Sequence, residues 1–234
     1  MIEALTFDLD DTFWDNRTVM ARVEQNHYEW LDAHIGHAEC FPLEEYQRRR
    51  AELARRYPLR RGDFTWIRRE SLYAMLSDFG LSSESARYWT DATMEEMLRL
   101  RHEVDIHVEV PDMLTEFRQR GLKMAAITNG NADIRRLGLA EHFDLIIPAG
   151  EWLAPKPDAR CFLAALAHLG IGAPRQAMHV GDSWRDDVLP AHHLGMPVAW
   201  IDVKNEGHDC PAGVYRLAHV RELPALLGWL AEHA

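Results

Sequence analysis

Hydrophobic residues recur at two different spacings along the chain. Between residues 18 and 101 they lie three or four positions apart, which predicts a run of amphipathic helices. After this block, short apolar runs alternate with helical segments, a pattern typical of βαβ units and a mostly parallel sheet. We therefore predict an α/β fold in which an all-helical domain is inserted into a parallel-sheet core.

The boundaries of this arrangement follow from local signals. Pro42 and the acids after it indicate a helix start, Gly80 a helix end, and Ser82 or Ser83 the cap of the next helix. A three-layer, Rossmann-like core is expected over residues 1–14 and 104–234, and the helical domain over residues 15–103. Strands are predicted at residues 2–8, 123–128, 144–148, 177–180 and 197–203, and core helices near residues 112–120, 131–140, 158–169 and 186–194.

Charge and cysteine content narrow the range of partners. A formal net charge of −11 opposes nonspecific binding to nucleic acid or to anionic membranes. Cys40, Cys161 and Cys210 are scattered and form no Cys-x-x-Cys pair, so neither a disulfide framework nor a zinc site is indicated. No apolar run is long enough for a membrane span. We expect a cytoplasmic protein acting on a small metabolite, with its oligomeric state left open.

Acidic residues cluster where the first predicted strand ends. The stretch Ile2 to Thr12 passes from apolar residues into three aspartates and a hydroxyl, and Asp8 and Asp10 stand two positions apart. Residues two apart on an extended chain point the same way, so their carboxylates should lie close together. Like charges at such a distance favour a bound cation, and Mg²⁺ prefers oxygen ligands. The pattern suggests phosphoryl chemistry.

Two later segments supply groups that could bind phosphate. Thr128, Asn129 and Gly130 follow a predicted strand and offer a hydroxyl and backbone N–H groups. Lys156 stands between two prolines, which restrict the loop and direct its ammonium group. Considered separately, the first segment is more often an ordinary turn and the second a solvated loop. Their positions after predicted strands favour a shared site.

A final acidic segment follows another apolar run. Asp182 comes at the expected strand end and could complete a metal site with Asp8. Asp187 is better placed than Asp186 to support the metal ligands. Both later acids could instead be favoured only by the dipole at a helix N-terminus.

Taken in order, these segments resemble the four motifs of the haloacid dehalogenase-like hydrolases, in the phosphatase branch with a helical cap. The resemblance implies Mg²⁺ bound by Asp8, the Asp10 backbone carbonyl and Asp182, with Asp187 nearby. It also implies that Asp8 is the nucleophile and Asp10 the general acid and base. The phosphoryl oxygens would be bound by Thr128, the following amides at Asn129 and Gly130, and Lys156. The expected activity is hydrolysis of a small phosphate monoester.

Three alternative functions share some or all of this pattern. A phosphomutase would use every motif, whereas a haloacid dehalogenase needs neither Mg²⁺ nor a second aspartate, so Asp10 disfavours it. A phosphoacceptor receiver domain combines similar residues but is about half as long and has no helical insert.

The helical domain is expected to select the substrate. Asn16 and Arg17 lead from the first strand into it, and Trp66 could stack on a planar group such as a flavin or nucleobase. Flavin mononucleotide and sugar or nucleotide phosphates are therefore candidate substrates. Trp66 could equally be a packing residue. The nine arginines between residues 48 and 69 are interpreted as a mainly solvated helical face.

Overall fold

The computed structural model describes residues 1–148 and 153–233, and within them the chain forms two compact units. The α/β unit comprises residues 1–15, 105–129 and 134–234, and the helical unit comprises residues 16–104 and 130–133. None of the helices in the described ranges is long and apolar enough to cross a membrane.

The helical unit contains four α-helices, in agreement with the helical spacing of its apolar residues. Its core is formed by residues at helical spacing, among them Val19, Val23 and Leu31. Asp63 caps the third helix by accepting a hydrogen bond from the backbone N–H of Trp66, and the side chain of Ser82 caps the fourth. The helices are α1 (Asn16–Ile35), α2 (Leu43–Arg56), α3 (Phe64–Asp78) and α4 (Ser83–Arg101).

The α/β unit contains a six-stranded sheet in which every neighbouring pair of strands is parallel, which confirms the predicted fold class. The strands are β1 (Ala4–Phe7), β2 (Lys123–Thr128), β3 (Leu145–Pro148), β4 (Ala177–Gly181), β5 (Val198–Ile201) and β6 (Val214–Leu217). Their order in the sheet is β3-β2-β1-β4-β5-β6. Because β1 lies between β2 and β4, the residues that follow these three strands meet at one edge of the sheet.

Among its described residues, the α/β unit contains four further α-helices. They are α5 (Val110–Gln119), α6 (Ala159–His168), α7 (Leu189–His193) and α8 (Leu223–Glu232). The central strands are buried along their whole length, as is usual for a parallel sheet covered on both faces. Ala165 and Leu166 of α6 pack in one cluster with strand residues such as Val198 and Trp200.

Several predicted elements need correction. The helix expected near residues 131–140 is wrong: this segment forms turns, and its chain reverses at Gly138, whose φ of +73° a helix cannot accommodate. Residues 130–133 cluster with the helical unit, where the backbone N–H of Asp133 donates to His102 Nε2 at 2.8 Å. The helix near residues 186–194 is a π-helical turn, Trp184–Val188, followed by α7. Strand β6 and helix α8 were not predicted.

Candidate active site

The chain turns sharply after β1, and this turn presents the first two aspartates. The backbone N–H of Asp8 donates to the carbonyl of Val180 at 2.8 Å, which ties the strand end to β4. Asp11 has a φ of 59°, a left-handed conformation that aspartate tolerates better than most residues. Asp8 is buried. Asp10 is half-buried and its Oδ1 accepts a hydrogen bond from Trp14 Nε1 at 2.9 Å.

Lys156 lies between two carboxylates. Its Nζ donates to Asp8 Oδ1 at 2.7 Å and to Asp187 Oδ1 at 2.5 Å, and its side chain is only 2% exposed. Asn129 positions this lysine through two hydrogen bonds, in which Asn129 Nδ2 donates to the Lys156 carbonyl and Lys156 N donates to Asn129 Oδ1. The lysine predicted from its proline-flanked loop therefore reaches the aspartate predicted to be the nucleophile.

Three carboxylates meet at the carboxyl edge of the sheet. Oxygen atoms of Asp8, Asp182 and Asp187 all lie within 4.8 Å of one another, which is a donor set that could hold a metal ion. Asp187 Oδ2 also accepts from the backbone N–H of Ser183 at 3.0 Å. A Cβ at Gly181 would come within 2.5 Å of the Asp187 side chain, so only glycine leaves room for this arrangement.

The protonation behaviour of the cluster reflects burial and crowding. Burial raises the pKa of Asp8 well above its usual value; Lys156 opposes this, and the charges of Asp187 and Asp182 add to it. Burial and Asp187 raise the pKa of Asp182 to about 6, although Lys204 opposes them. A divalent cation would offset this crowding of negative charge, so the residues present fit a metal.

Lys156 and Asp187 are both charged in the folded protein. Burial alone would raise the pKa of Asp187, but Lys156 and His179 outweigh it and hold that pKa well below its usual range. Burial disfavours the charge on Lys156, yet Asp187 and Asp8 together outweigh it and raise its pKa. Asp187 and Lys156 therefore form an ion pair beneath Asp8.

Sequence reasoning missed two residues that support this site. His179, in β4, is fully buried and lies 3.0 Å from Asp187 Oδ1 through Nε2 and 2.9 Å from Thr6 Oγ1 through Nδ1. Because ionised Asp187 can only accept, Nε2 carries the proton and Thr6 donates to Nδ1. Lys204 Nζ donates to Asp182 Oδ2 at 2.8 Å. A histidine inside an apolar strand and a lysine in a polar loop gave no distinctive signal.

The remaining predicted residues occupy identifiable positions. Thr128 is buried at the end of β2, and Gly130 clusters with the helical unit. Asn16 begins α1, followed by Arg17. Trp66, in the first turn of α3, has the guanidinium of Arg60 over its ring at 4.0 Å and the ring of Tyr57 edge-on at 5.1 Å. Their contacts with substrate stay predictions.

Comparison with known proteins identifies the class. The model of the haloacid dehalogenase-like hydrolase family matches residues 2–195. The chain therefore belongs to this family, as the order of its motifs indicated, and it is a hydrolase.

Individual relatives have differing activities. The 5-amino-6-(5-phospho-D-ribitylamino)uracil phosphatase YigB of Escherichia coli is 32% identical over 204 residues, covering 87% of this chain and 85% of the relative. The phosphoserine phosphatase of Thermus thermophilus is 37% identical over 132 residues, covering 54% and 51%. The crystal structure of a 2-haloacid dehalogenase from Pseudomonas syringae pv. Tomato DC3000 superposes with a TM-score of 0.88 at 33% identity, covering 98% of this chain and 100% of that one.

Proposed function

We propose that this hydrolase is a Mg²⁺-dependent phosphatase that cleaves a small phosphate monoester through a phosphorylated Asp8. One observation carries the proposal: the buried ammonium of Lys156 lies 2.7 Å from Asp8 and 2.5 Å from Asp187. This ammonium group favours the ionised form of Asp8, which can attack phosphorus, and it can also contact the phosphoryl oxygens during transfer.

The reaction requires two displacements at phosphorus. In the first, an Asp8 oxygen bonds to phosphorus while the ester bond breaks, and Asp10 gives its proton to the departing oxygen. In the second, Asp10 takes a proton from water as that water attacks phosphorus, which releases inorganic phosphate and restores the Asp8 carboxylate. Thr128 and the backbone amides at Asn129 and Gly130 would bind the phosphoryl oxygens.

A divalent cation fits the three-carboxylate cluster. Asp8, Asp182 and the Asp10 backbone carbonyl would hold it, with Asp187 in support, because the oxygens of Asp187 already accept from Lys156, His179 and Ser183. When bound, Mg²⁺ would neutralise charge on the phosphoryl oxygens.

Hydrolysis of a 2-haloacid is the second candidate, favoured by the close match to the Pseudomonas syringae structure. A halide leaves without needing a proton, so such a reaction gives the side chain of Asp10 no role. The second aspartate therefore supports phosphatase over dehalogenase. A phosphomutase remains an alternative that shares the complete site.

The substrate class follows from the relatives together with the helical unit. YigB and the phosphoserine phosphatase are named for small phosphorylated metabolites, and the YigB substrate carries a uracil ring and a ribityl phosphate. Trp66 would provide an aromatic surface for such a ring, which keeps flavin mononucleotide and nucleotide phosphates among the candidates.

The test is a substrate panel assayed with Mg²⁺ and with EDTA. It includes flavin mononucleotide, 5-amino-6-(5-phospho-D-ribitylamino)uracil, phosphoserine, sugar phosphates and 2-chloropropionate. We expect phosphate release from at least one monoester, lost in EDTA and restored by Mg²⁺. Halide release from 2-chloropropionate without phosphatase activity would reject the proposal, and isomerisation of a sugar phosphate without net phosphate release would indicate a mutase.

A further inference from the structure

A row of hydrogen bonds leads from the centre of the sheet to the proposed nucleophile. Thr6 Oγ1 in β1 lies 2.9 Å from His179 Nδ1 in β4, and His179 Nε2 lies 3.0 Å from Asp187 Oδ1. Lys156 Nζ donates to the same Asp187 oxygen at 2.5 Å and to Asp8 Oδ1 at 2.7 Å. We call these five residues the histidine network. It connects two central strands to the loop that carries the lysine.

The network is enclosed by the core of the α/β unit. Thr6 and His179 are fully buried, and Lys156 and Asp187 almost fully. The Phe162 ring of α6 packs edge-on against the imidazole, with ring centroids 4.9 Å apart and planes 81° apart. Hydrogen bonds in such surroundings are strengthened by the low local dielectric, and a donor or acceptor left without its partner there is costly.

The neighbours of His179 determine which ring nitrogen carries the proton. Asp187 Oδ1 accepts from the ammonium of Lys156, and a carboxylate can only accept, so His179 Nε2 must donate to it. Nδ1 is then an acceptor, to which the Thr6 hydroxyl donates. Burial lowers the pKa of His179, although Asp187 opposes this effect. The imidazole is therefore a neutral ring with its single proton on Nε2.

This donor is one of the groups that orient Asp187. His179 and Lys156 share Oδ1 of the carboxylate, and Oδ2 accepts from the backbone N–H of Ser183 at 3.0 Å. A carboxylate held at both oxygens keeps one orientation, so the ammonium keeps its place between Asp187 and Asp8. Packing against Phe162 does not by itself account for a histidine, because an aliphatic side chain would fill this position without burying two polar nitrogens.

We propose that His179 is a positioning residue of the active site, held in one tautomer by Thr6, which orients Asp187 and thereby keeps the Lys156 ammonium against Asp8. The consequence for catalysis rests on the proposed function, in which Lys156 acts on the phosphoryl group. The arrangement of the network itself does not depend on the substrate.

The first experiment observes the tautomer in the full-length, metal-free protein without substrate. Long-range ¹H–¹⁵N NMR spectra distinguish a protonated from an unprotonated imidazole nitrogen, and the signals of His179 are those that disappear in H179Q. At pH 7.5 we expect Nε2 to be protonated and Nδ1 to be unprotonated. A proton on Nδ1, alone or together with one on Nε2, would overturn the proposal.

The position of the ammonium is followed through its own ¹⁵Nζ signal. The chain has three lysines, Lys123, Lys156 and Lys204, so this signal is readily assigned. It should shift in H179L, which removes the donor, and H179Q should restore it because the amide supplies an N–H group. The matched control is M178V, since Met178 is also fully buried in β4 but points to the opposite face of the sheet.

The control decides between positioning and general loss of packing. M178V should leave the Lys156 signal unchanged even where it lowers the melting temperature. A Lys156 signal that is the same in H179L as in wild type, or that shifts equally in H179L and M178V, would contradict the proposal. Circular dichroism checks that each variant is folded.

Kinetics at saturating Mg²⁺ test the consequence for the proposed reaction. With a monoester that the wild type hydrolyses, H179L should lower kcat about 10- to 100-fold and change KM less than about threefold, because the lysine is displaced but the substrate contacts remain. H179Q should recover most of this loss, and M178V should stay within about twofold of wild type. Wild-type kcat in H179L would reject the positioning role alone. A wild type without phosphatase activity would reject the proposed function and leave the NMR test in force.

The far end of the network gives a test that keeps the imidazole in place. T6V removes the hydroxyl and preserves the shape of the side chain, whereas T6S keeps the hydroxyl. T6V should shift the Nδ1 signal of His179 and lower kcat less than H179L does, because Asp187 still accepts from Nε2. T6S should leave both the signal and kcat close to those of the wild type. An Nδ1 signal unchanged in T6V would overturn the assigned role of Thr6, including in the case that H179L does not fold.

Discussion

The two units of this protein place charge differently. In the α/β unit, the charges of the candidate active site are buried and linked: Lys156 is 2% exposed, and its partners Asp8 and Asp187 are 9% and 1% exposed. In the helical unit, several arginines form pairs at the surface, as Arg48 does with Glu45 and Glu52. Charges in a buried network interact more strongly than charges that water and salt screen at the surface.

This difference separates what topology determines from what packing determines. Strand order brings three groups of the site together at the carboxyl edge of the parallel sheet. Asp8 follows β1, Asp182 follows β4, and Lys156 lies in a loop. The groove between α2 and α3, lined by residues such as Ala51 and Ile67, depends on how these helices pack, which helical periodicity does not specify. We expect the buried network to carry the chemistry and the helical unit to carry the selectivity.

The largest effect is expected from Asp8→Asn, which removes the proposed nucleophile. Turnover of phosphate monoesters should fall by several orders of magnitude, because asparagine cannot form the phosphorylated intermediate. The fold should survive, since the amide oxygen can still accept from Lys156. Steady-state kcat with Mg²⁺ and a thermal melt provide the measurements, and near-normal turnover would remove the basis for the mechanism.

Asp10→Ala should separate the general acid from the nucleophile. Alkyl phosphates should lose about 10²- to 10⁴-fold in the first step, because their leaving oxygen needs a proton. With p-nitrophenyl phosphate the first step should be affected less, since the aryl oxygen leaves unprotonated, and hydrolysis of the intermediate should become slow. Rapid-quench measurement of p-nitrophenolate release gives the two rates. Equal losses in the first step for both ester types would argue against the acid role.

The convergence of the site was predicted because each group stands where a strand ends. His179 and Lys204 were missed for a physical reason. Each contacts a carboxylate of the site that only the folded chain brings close to it, and neither lies at a diagnostic spacing. Strand β6 was not predicted because it is short, two of its four residues are not buried, and it follows a polar loop. The helix predicted near residues 131–140 fails where Gly138 reverses the chain, which an apolar pattern does not reveal.

Asp182→Asn tests the crowding of negative charge through stability. The folded pKa of Asp182, about 6, lies above its ordinary value of 3.8, so the ionised side chain destabilises the metal-free protein above pH 6. That penalty disappears as the pH falls from 6 towards 4, where the folded state binds the extra proton. In EDTA the variant should therefore be more stable than wild type at pH 7.5, by at most about 3 kcal/mol.

Denaturant unfolding at pH 7.5 and pH 4.5 measures this difference. The advantage of Asp182→Asn should shrink at the lower pH, and with Mg²⁺ at pH 7.5 it should reverse, because the variant loses a proposed metal ligand. An advantage that is independent of pH would show that the carboxylate is not strained by its neighbours.

The smallest effect is expected from Trp66→Ala, which tests the helical unit. If Trp66 stacks on a planar substrate, kcat/KM for flavin mononucleotide should fall by about 1 to 3 kcal/mol, with little change for phosphoserine. The structure offers a matched control, Tyr57→Ala, because Tyr57 contacts the edge of the same indole at 5.1 Å. Parallel losses on both substrates, or a lower melting temperature with unchanged selectivity in both variants, would assign Trp66 to packing with Tyr57 and Arg60. Selectivity would then depend on other residues of the helical unit.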